Sequence, residues 1–484
     1  MGEPMSDRLS ALLPTHREES TASSSEVSSN ENQLRIGEKL VIFLTKEIGK
    51  SSMGTVVYEG SYEGTPIAVK RILKSHHEMA DQEIKNFEAS AHHQNVVKYY
   101  GVEQDRDFIY LVLELCDCNL SDLIEMPSAA SLNQYEYVSK DDHCNTISIT
   151  SSEEHSELPK NILEDAELWD DNKRATPLLL KLIWDIVLAI EHLHNLRIVH
   201  RDIKPENVLI QKQSSSFHAK LSDMNISRRL LDNTSALSNH FSRCGTTGWK
   251  AREWLLFERQ TPAMDLFSLG CLIFYCITRG IHPFGDHDER NKNIKEENVK
   301  NMFLVQDFPE ASHLISLLLQ PVYWLRPEAS EVLHHPLFWV AKKRLFFISD
   351  FIDRVSEDSI LSAELESAAS TILGTERIIM VNVVPNSNKE VDTEIITHIS
   401  LSAKRDYKFN SIRDLLQLIQ YILKHYEQLP RDIQILVGPL YEGLDDYFTR
   451  KFPTLLMTMY VVVCTHCKEG LFSEYFERNL KLAS

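Results

Sequence analysis

Along the run Val199-His200-Arg201-Asp202-Ile203-Lys204-Pro205-Glu206-Asn207, a carboxylate, an ammonium and an amide follow at positions i, i+2 and i+5. That spacing suits phosphoryl transfer, in which a carboxylate takes the proton of a hydroxyl, a cation neutralises the moving group and an amide oxygen holds magnesium. Asp202, Lys204 and Asn207 are assigned those roles in turn. A second metal ligand, Asp223, stands in Lys220-Leu221-Ser222-Asp223-Met224-Asn225. Upstream, Lys70 closes the alternating run Ile67-Ala68-Val69-Lys70 and supplies an ammonium for the α- and β-phosphates of a nucleotide. Glu83, in a predicted helix from Asp81 to Glu88, is its natural ion-pair partner.

Other elements must hold these groups around one nucleotide. Ile48-Gly49-Lys50-Ser51-Ser52-Met53-Gly54-Thr55-Val56-Val57 reads as strand, turn and strand, with Gly49 and Gly54 letting backbone approach the phosphates and Val56 lining the nucleotide. Leu111 to Cys116 is an apolar run ending in a polar turn, where Glu114 and Cys116 would meet the adenine. The order of these elements resembles a protein kinase, with ATP and Mg2+ as the implied ligands. Three phrases depart from the usual pattern. Ser51 replaces the middle glycine, Asp223-Met224-Asn225 replaces Asp-Phe-Gly, and Ala251-Arg252-Glu253 replaces Ala-Pro-Glu. Met224 is expected to fill the apolar slot and Asn225 to take a positive φ. Arg252 is expected to loosen a substrate-facing turn, Glu253 to pair with Arg326, and Asp265 to brace the catalytic loop. Within the activation segment, Ser235, Ser238 and Ser242 are candidate autophosphorylation sites, and Arg201 is a cation that a phosphate there could neutralise.

A chain of 484 residues exceeds one typical core, so two domains with unstructured additions are expected. Hydrophobic content of 43% supports folding, and a net charge of −19 argues against broad nonspecific binding to nucleic acid or acidic lipid. The 8 cysteines are scattered, which is reduced, intracellular usage. Cys464-Thr465-His466-Cys467 lacks a second ligand pair and is read as packing. No apolar run approaches the ~20 residues of a membrane span.

Residues 1–33, rich in Ser, Thr and Glu, read as a disordered tail, and 34–339 as the kinase, with an acidic, serine-rich insertion at about 127–175. Pro177 opens a helix whose apolar residues, from Leu179 to Leu193, recur at helical spacing. His334 and His335 are read as capping and surface groups. From Lys342 a helix runs on with no Gly/Pro/Ser linker, so 340–478 is expected to be a small helical domain packed rigidly on the kinase. Within it, Arg377 to Thr397 reads as a loop with a short strand, Ser411 caps a helix reaching Tyr426, and Leu440 to Tyr460 adds more helix.

The phrases from Tyr407 to Leu416, His425 to Pro430 and Tyr447 to Pro453 resemble the ribonuclease extension, or KEN domain, of the unfolded-protein-response kinase/endoribonucleases, the inositol-requiring enzyme family. Asp223-Met224 resembles its plant members, and ribonuclease L is related. The resemblance implies an α+β chain: a bilobal protein kinase fold followed by a small all-α ribonuclease-type domain. It implies autophosphorylation, self-association as a homodimer or oligomer or pairing with a full-length relative, and stem-loop RNA as a candidate partner. The family cleaves RNA with a tyrosine, an Arg-Asn pair and a histidine. Here Tyr407 and His425 hold the outer positions, but Gln420-Tyr421 replaces the pair. One oxyanion donor is worth about 3 to 4 kcal/mol, so loss of the fixed cation is expected to weaken cleavage. Two alternatives stay open: an active kinase/endoribonuclease in which Lys424 or Arg413 replaces the arginine, and a nucleotide-binding regulatory partner. Full-length members carry a lumenal sensor and a membrane helix. The chain is therefore read either as a soluble paralogue or as a shortened gene model, cytoplasmic as written, with the endoplasmic-reticulum membrane of its relatives as a second location.

Overall fold

The structure is a computed structural model and describes residues 32–50, 55–91, 93–125, 166–230, 234–236, 245–357, 359–367, 391–404, 407, 411–466, 472 and 474–476. Gly54, Ser238, Ser242 and most of the acidic insertion lie outside these residues. Period-two alternation builds the first lobe. Gln33–Ile36 (β1), Leu40–Lys50 (β2), Val56–Tyr62 (β3), Thr65–Leu73 (β4), Tyr99–Gln104 (β5) and Phe108–Glu114 (β6) form an antiparallel sheet in the order β1-β2-β3-β4-β6-β5. β1 begins at Gln33, the last residue of the stretch read as a tail. Along β4, Ile67 and Val69 face an outer cluster with Tyr58 and Val112, whereas Ala68 and Ile72 face the main core. Alternation therefore aims Lys70 inward, toward helix α1 (His77–Ser90) and its buried Glu83.

The second lobe is helical. It contains α2 (Leu120–Glu125), α3 (Pro177–Asn195), α4 (Arg252–Leu255), α5 (Ala263–Ile277), α6 (Arg290–Lys295), α7 (Pro309–Leu318) and α8 (Ala329–Leu333). Proline opens α3, and the Thr176 side chain caps it by accepting the Leu179 N–H. Short strands lie between these helices: β7 (Cys118–Asn119), β8 (Ile198–Val199), β9 (Val208–Gln213), β10 (Ser216–Leu221) and β11 (Arg228–Arg229), paired β10-β9-β7 and β11-β8. The end of the expected insertion is packed rather than featureless. Leu168 is 2% exposed, and the Trp169 ring N–H donates to the Cys276 carbonyl at 3.2 Å.

Only Val340 separates Trp339 from the third body of helices, α9 (Ala341–Glu357), α10 (Ser359–Ser367), α11 (Thr393–Ala403), α12 (Ile412–His425), α13 (Arg431–Val437), α14 (Glu442–Lys451) and α15 (Leu455–His466). They enclose a separate core that includes Phe347, Phe351, Leu416, Ile419 and Phe448. The Ser411 side chain caps α12 by accepting the Asp414 N–H. Residues 393–397 are helical where a loop and strand were expected, and Pro453, which has no N–H to donate, divides the expected long helix into α14 and α15.

Two contacts weld this body to the kinase. The Arg344 guanidinium donates to Glu310 at 3.1 Å and to the Trp339 carbonyl at 3.2 Å. Tyr460 of α15 packs edge-on against His313, His335 and Trp339, with ring centroids 6.0, 5.5 and 5.9 Å away. His335 is thus not a surface group: it is 2% exposed, accepts the Leu337 N–H and bonds His313 at 2.9 Å. Among the described residues no helix is long and apolar enough to cross a membrane.

Candidate active site

Lys70 Nζ donates to Glu83 Oε1 and to Asp223 Oδ1, each at 2.6 Å, so one ammonium ties the helix of the first lobe to the Asp223 segment of the second. Burial works against a charged lysine, but Asp223 and Glu83 outweigh it and hold the ammonium above its usual range. Burial also works to raise the Asp223 carboxyl; Lys70 outweighs it and holds that carboxyl below its usual range. Both groups are therefore charged at neutral pH. Met224 fills the apolar slot at 0% exposure. The left-handed backbone expected at Asn225 falls instead on Asp223, φ 59°. With Met224 anchored in the core, the turn that aims the carboxylate at Lys70 is made at the aspartate itself.

Asp265, at the start of α5, accepts the backbone N–H groups of His200 and Arg201, each at 2.8 Å, and so holds the catalytic loop from beneath. His200 Nδ1 accepts the Asp202 N–H at 3.3 Å, which leaves its Nε2–H to donate to the Ser222 carbonyl at 2.9 Å. Asp202 itself is clamped from both sides. Asn207 donates to Oδ2 at 2.9 Å, and the Thr246 N–H and hydroxyl donate to Oδ1 at 3.1 and 3.0 Å. Lys204 Nζ lies 3.3 Å from Asp202 and donates to the Thr246 hydroxyl at 2.6 Å. From sequence Thr246 reads only as a hydroxyl of the activation segment, because it lies 44 residues from the aspartate it orients.

The metal's donors fit magnesium. Asn207 donates through Nδ2 and Lys70 occupies one oxygen of Asp223, so an amide oxygen and a carboxylate oxygen remain as ligands. Two hard oxygen donors are the set expected for a magnesium ion that keeps water and substrate phosphates as its other ligands. Ser222 joins the two segments by donating its N–H and its hydroxyl to the Asn207 carbonyl, both at 2.9 Å.

The cleft lining needs one correction. Register pairs Val57 with Lys70 and Val56 with Arg71, so Val56 shares the outer face with Tyr58 and Val57 takes the inner one. Only the pairing shows this, since a residue directly across from the lysine faces the same side and the sequence does not fix which residue that is. At Gly49 an added Cβ would meet nothing nearer than Val57 at 3.9 Å, so the protein's own packing does not demand glycine there. The Glu114 carboxylate turns to Lys220 Nζ at 2.9 Å, and the Cys116 thiol is pushed up to about 12, by burial first and the Glu114 charge second, so it stays neutral.

Glu253 and Arg326 form a fully buried two-toothed pair at 2.7 and 2.9 Å. Arg252 does not loosen the turn. Its guanidinium donates to the Lys295 carbonyl at 3.2 Å and lies 3.2 Å from Glu297, which fastens α4 to α6. Arg201 is 7% exposed and donates to the Ile226 carbonyl at 3.1 Å, whereas exposed Ser235 receives its hydrogen bond from Arg259.

In the C-terminal domain, the Gln420 amide donates to the Ser349 carbonyl at 3.1 Å and to Asp353 at 2.8 Å, fastening α12 to α9. Tyr421 lies against the His425 ring, centroids 4.5 Å apart, and His425 Nδ1 meets Gln428 at 3.2 Å. Tyr407 belongs to the domain's core at 9% exposure. Lys424 is exposed, one turn from Gln420. Arg413 is seven residues from Gln420, ~10 Å along the helix axis, and bonds Ser362.

A strand-rich lobe carrying Lys70 and Glu83 over a helical lobe carrying Asp202, Asn207 and Asp223 defines a protein kinase, here with a helical domain grown onto its last turn. Residues 43–338 match the protein kinase domain model and residues 343–476 match the Ribonuclease 2-5A model. The chain is 45% identical over 452 residues to the serine/threonine-protein kinase/endoribonuclease IRE1b of Arabidopsis thaliana, covering 91% of this chain and 48% of that protein. Against the inactive serine/threonine-protein kinase/endoribonuclease IRE1-like protein of the same plant it is 34% identical over 472 residues, covering 92% of this chain and 80% of that protein. The IRE1 of Oryza sativa subsp. japonica is 43% identical over 446 residues, covering 92% of this chain and 46% of that protein. The chain belongs to the IRE1 kinase/endoribonuclease family. It spans about half the length of the first two curated kinase/endoribonucleases it matches. A protein kinase domain works on ATP with a divalent metal.

Proposed function

We propose that the protein is a Mg2+- and ATP-dependent serine/threonine kinase that phosphorylates its own activation segment, and that its ribonuclease-type domain cleaves RNA weakly or not at all. The observation that carries the kinase reading is Lys70 held at 2.6 Å from both Glu83 and Asp223 while Asn207 and Thr246 aim the Asp202 carboxylate. Asp202 takes the proton of the substrate hydroxyl as its oxygen attacks the γ-phosphorus and the bond to ADP breaks. Lys204 neutralises charge on the phosphoryl group, and Val57, Glu114 and Cys116 line the adenine side. Mg2+, held by Asn207 and Asp223, would neutralise the phosphates. Among the three candidate serines, Ser235 is the one described, and Arg259 already reaches it.

For RNA, the amide of Gln420 is spent on α9, and neither it nor the Tyr421 phenol supplies a fixed cation. Lys424 favours the second reading, an active endoribonuclease, since it lies one turn away; Arg413 lies at the far end of the helix. The continuous join at Val340 supports self-association through both domains as one unit, which sedimentation over a concentration series with and without nucleotide would test. The functional test pairs autophosphorylation from labelled ATP with cleavage of a stem-loop RNA. Label without cleavage is the expected result. Cleavage that depends on His425 would put the second reading first, and absence of both activities would favour a regulatory partner.

A further inference from the structure

We propose that Lys220 is a positioning residue for nucleotide: with Glu114 it forms a clasp behind the hinge that fixes the distance from the adenine site to the metal ligand Asp223. The inference rests on the kinase reading above. Glu114 is the last residue of β6 in the first lobe, and Lys220 lies on β10 in the second, 106 residues on and three residues before Asp223. Lys220 Nζ donates to both Glu114 oxygens, at 3.1 and 2.9 Å, and the two side chains are only 9% and 13% exposed. A pair that reaches both oxygens at this depth is screened by solvent far less than a surface ion pair. Backbone bonds stiffen both ends. Glu114 donates its N–H to the Lys98 carbonyl at 2.9 Å, and its carboxylate accepts the Lys98 N–H at 3.2 Å; Leu221, next to Lys220, donates its N–H to the Asn95 carbonyl at 2.8 Å and accepts the Val97 N–H at 3.0 Å.

The clasp thus spans the joint about which two lobes would open, and its two ends each continue into nucleotide-binding backbone. From Glu114 the chain runs two residues to Cys116; from Lys220 it runs three to Asp223, whose carboxylate Lys70 holds at 2.6 Å. A ligand that touches only the adenine end does not need that distance held. A ligand that touches adenine site and metal together does. This difference separates positioning from simple support of the fold, since misplacement by a fraction of an ångström matters only where two sites are engaged at once.

The test measures binding of Mg-ATP and of adenosine to the full chain by calorimetry, for the parent, Lys220→Met, Lys220→Arg and Glu114→Gln. Lys220→Met is expected to weaken Mg-ATP about tenfold while adenosine stays within about twofold, and Lys220→Arg to restore Mg-ATP. Lys220→Met combined with Glu114→Gln should weaken Mg-ATP no more than either alone, as for two halves of one contact. If Lys220→Met does not fold, Lys220→Gln, measured in the same way, carries the same expectation. Parallel losses of both ligands, unchanged Mg-ATP binding, or no rescue by arginine would each overturn the clasp with the kinase reading intact. A parent protein that binds no Mg-ATP would overturn that reading and this inference with it.

Discussion

Lys70 joins carboxylates from both lobes, so its removal leaves Glu83, 0% exposed, without its counter-charge. Lys70→Ala is expected to cut phosphate incorporation severely, and Asp202→Asn to cut it by roughly a hundred- to ten-thousand-fold, the usual worth of a positioned general base. Initial rates with labelled ATP check both; an Asp202→Asn protein that labels itself at the parent's rate would remove the assignment. The Glu253–Arg326 pair makes a different demand. Both side chains are within 1% of complete burial, so Arg326→Met leaves a buried carboxylate and is expected to cost about 3 to 5 kcal/mol in denaturant unfolding. A loss below about 1 kcal/mol would show that the carboxylate finds water or another partner.

Helix α12 carries the departure from the family's RNA chemistry, and its packing explains what the departure does. Gln420 ties α12 to Ser349 and Asp353 on α9, so an arginine at 420 would meet the Asp353 carboxylate and be held on that side of the helix. Gln420→Arg with Tyr421→Asn is expected to raise stem-loop RNA cleavage above background, and His425→Ala in that protein to abolish the gain. A cleavage rate unmoved by the double change would mean that Tyr407 and His425 are retained only with the fold. Much of this architecture was legible beforehand because the informative residues are close in sequence. Asp202, Lys204 and Asn207 share one loop, and Ser411 caps α12 by a local bond. What could not be read lies in register and in long-range contact. Val57 replaces Val56 on the inner face through strand pairing, and Thr246 and Lys220 find partners 44 and 106 residues away. His335 looked like a surface group because nothing near it in sequence announces Tyr460.

The two domains meet around Arg344, and the charges there do not balance. Glu310 from α7 and Asp445 from α14 converge on a single guanidinium, which bonds Glu310 at 3.1 Å but lies 3.9 Å from Asp445. At that length the ion pair does not offset burial, and the Asp445 carboxyl is pushed up to about 6, by burial first, then by Glu310 and Asp446, with Arg344 opposing. Since an unfolded aspartate titrates near 3.8, the folded protein holds the extra proton between about pH 4 and 6. Stability therefore falls as pH rises through that window and levels off above it, the reverse of a salt-bridged aspartate. Asp445→Asn mimics the protonated form, so it is expected to stabilise the protein at pH 7 by about 1 to 3 kcal/mol and to change little near pH 4. The measurement is the difference in thermal midpoint between variant and parent across this range. A difference that grows from about pH 4 to 6 and then holds steady supports a strained carboxylate at the domain junction. A difference independent of pH would show that Asp445 titrates normally, and that Arg344 serves both carboxylates.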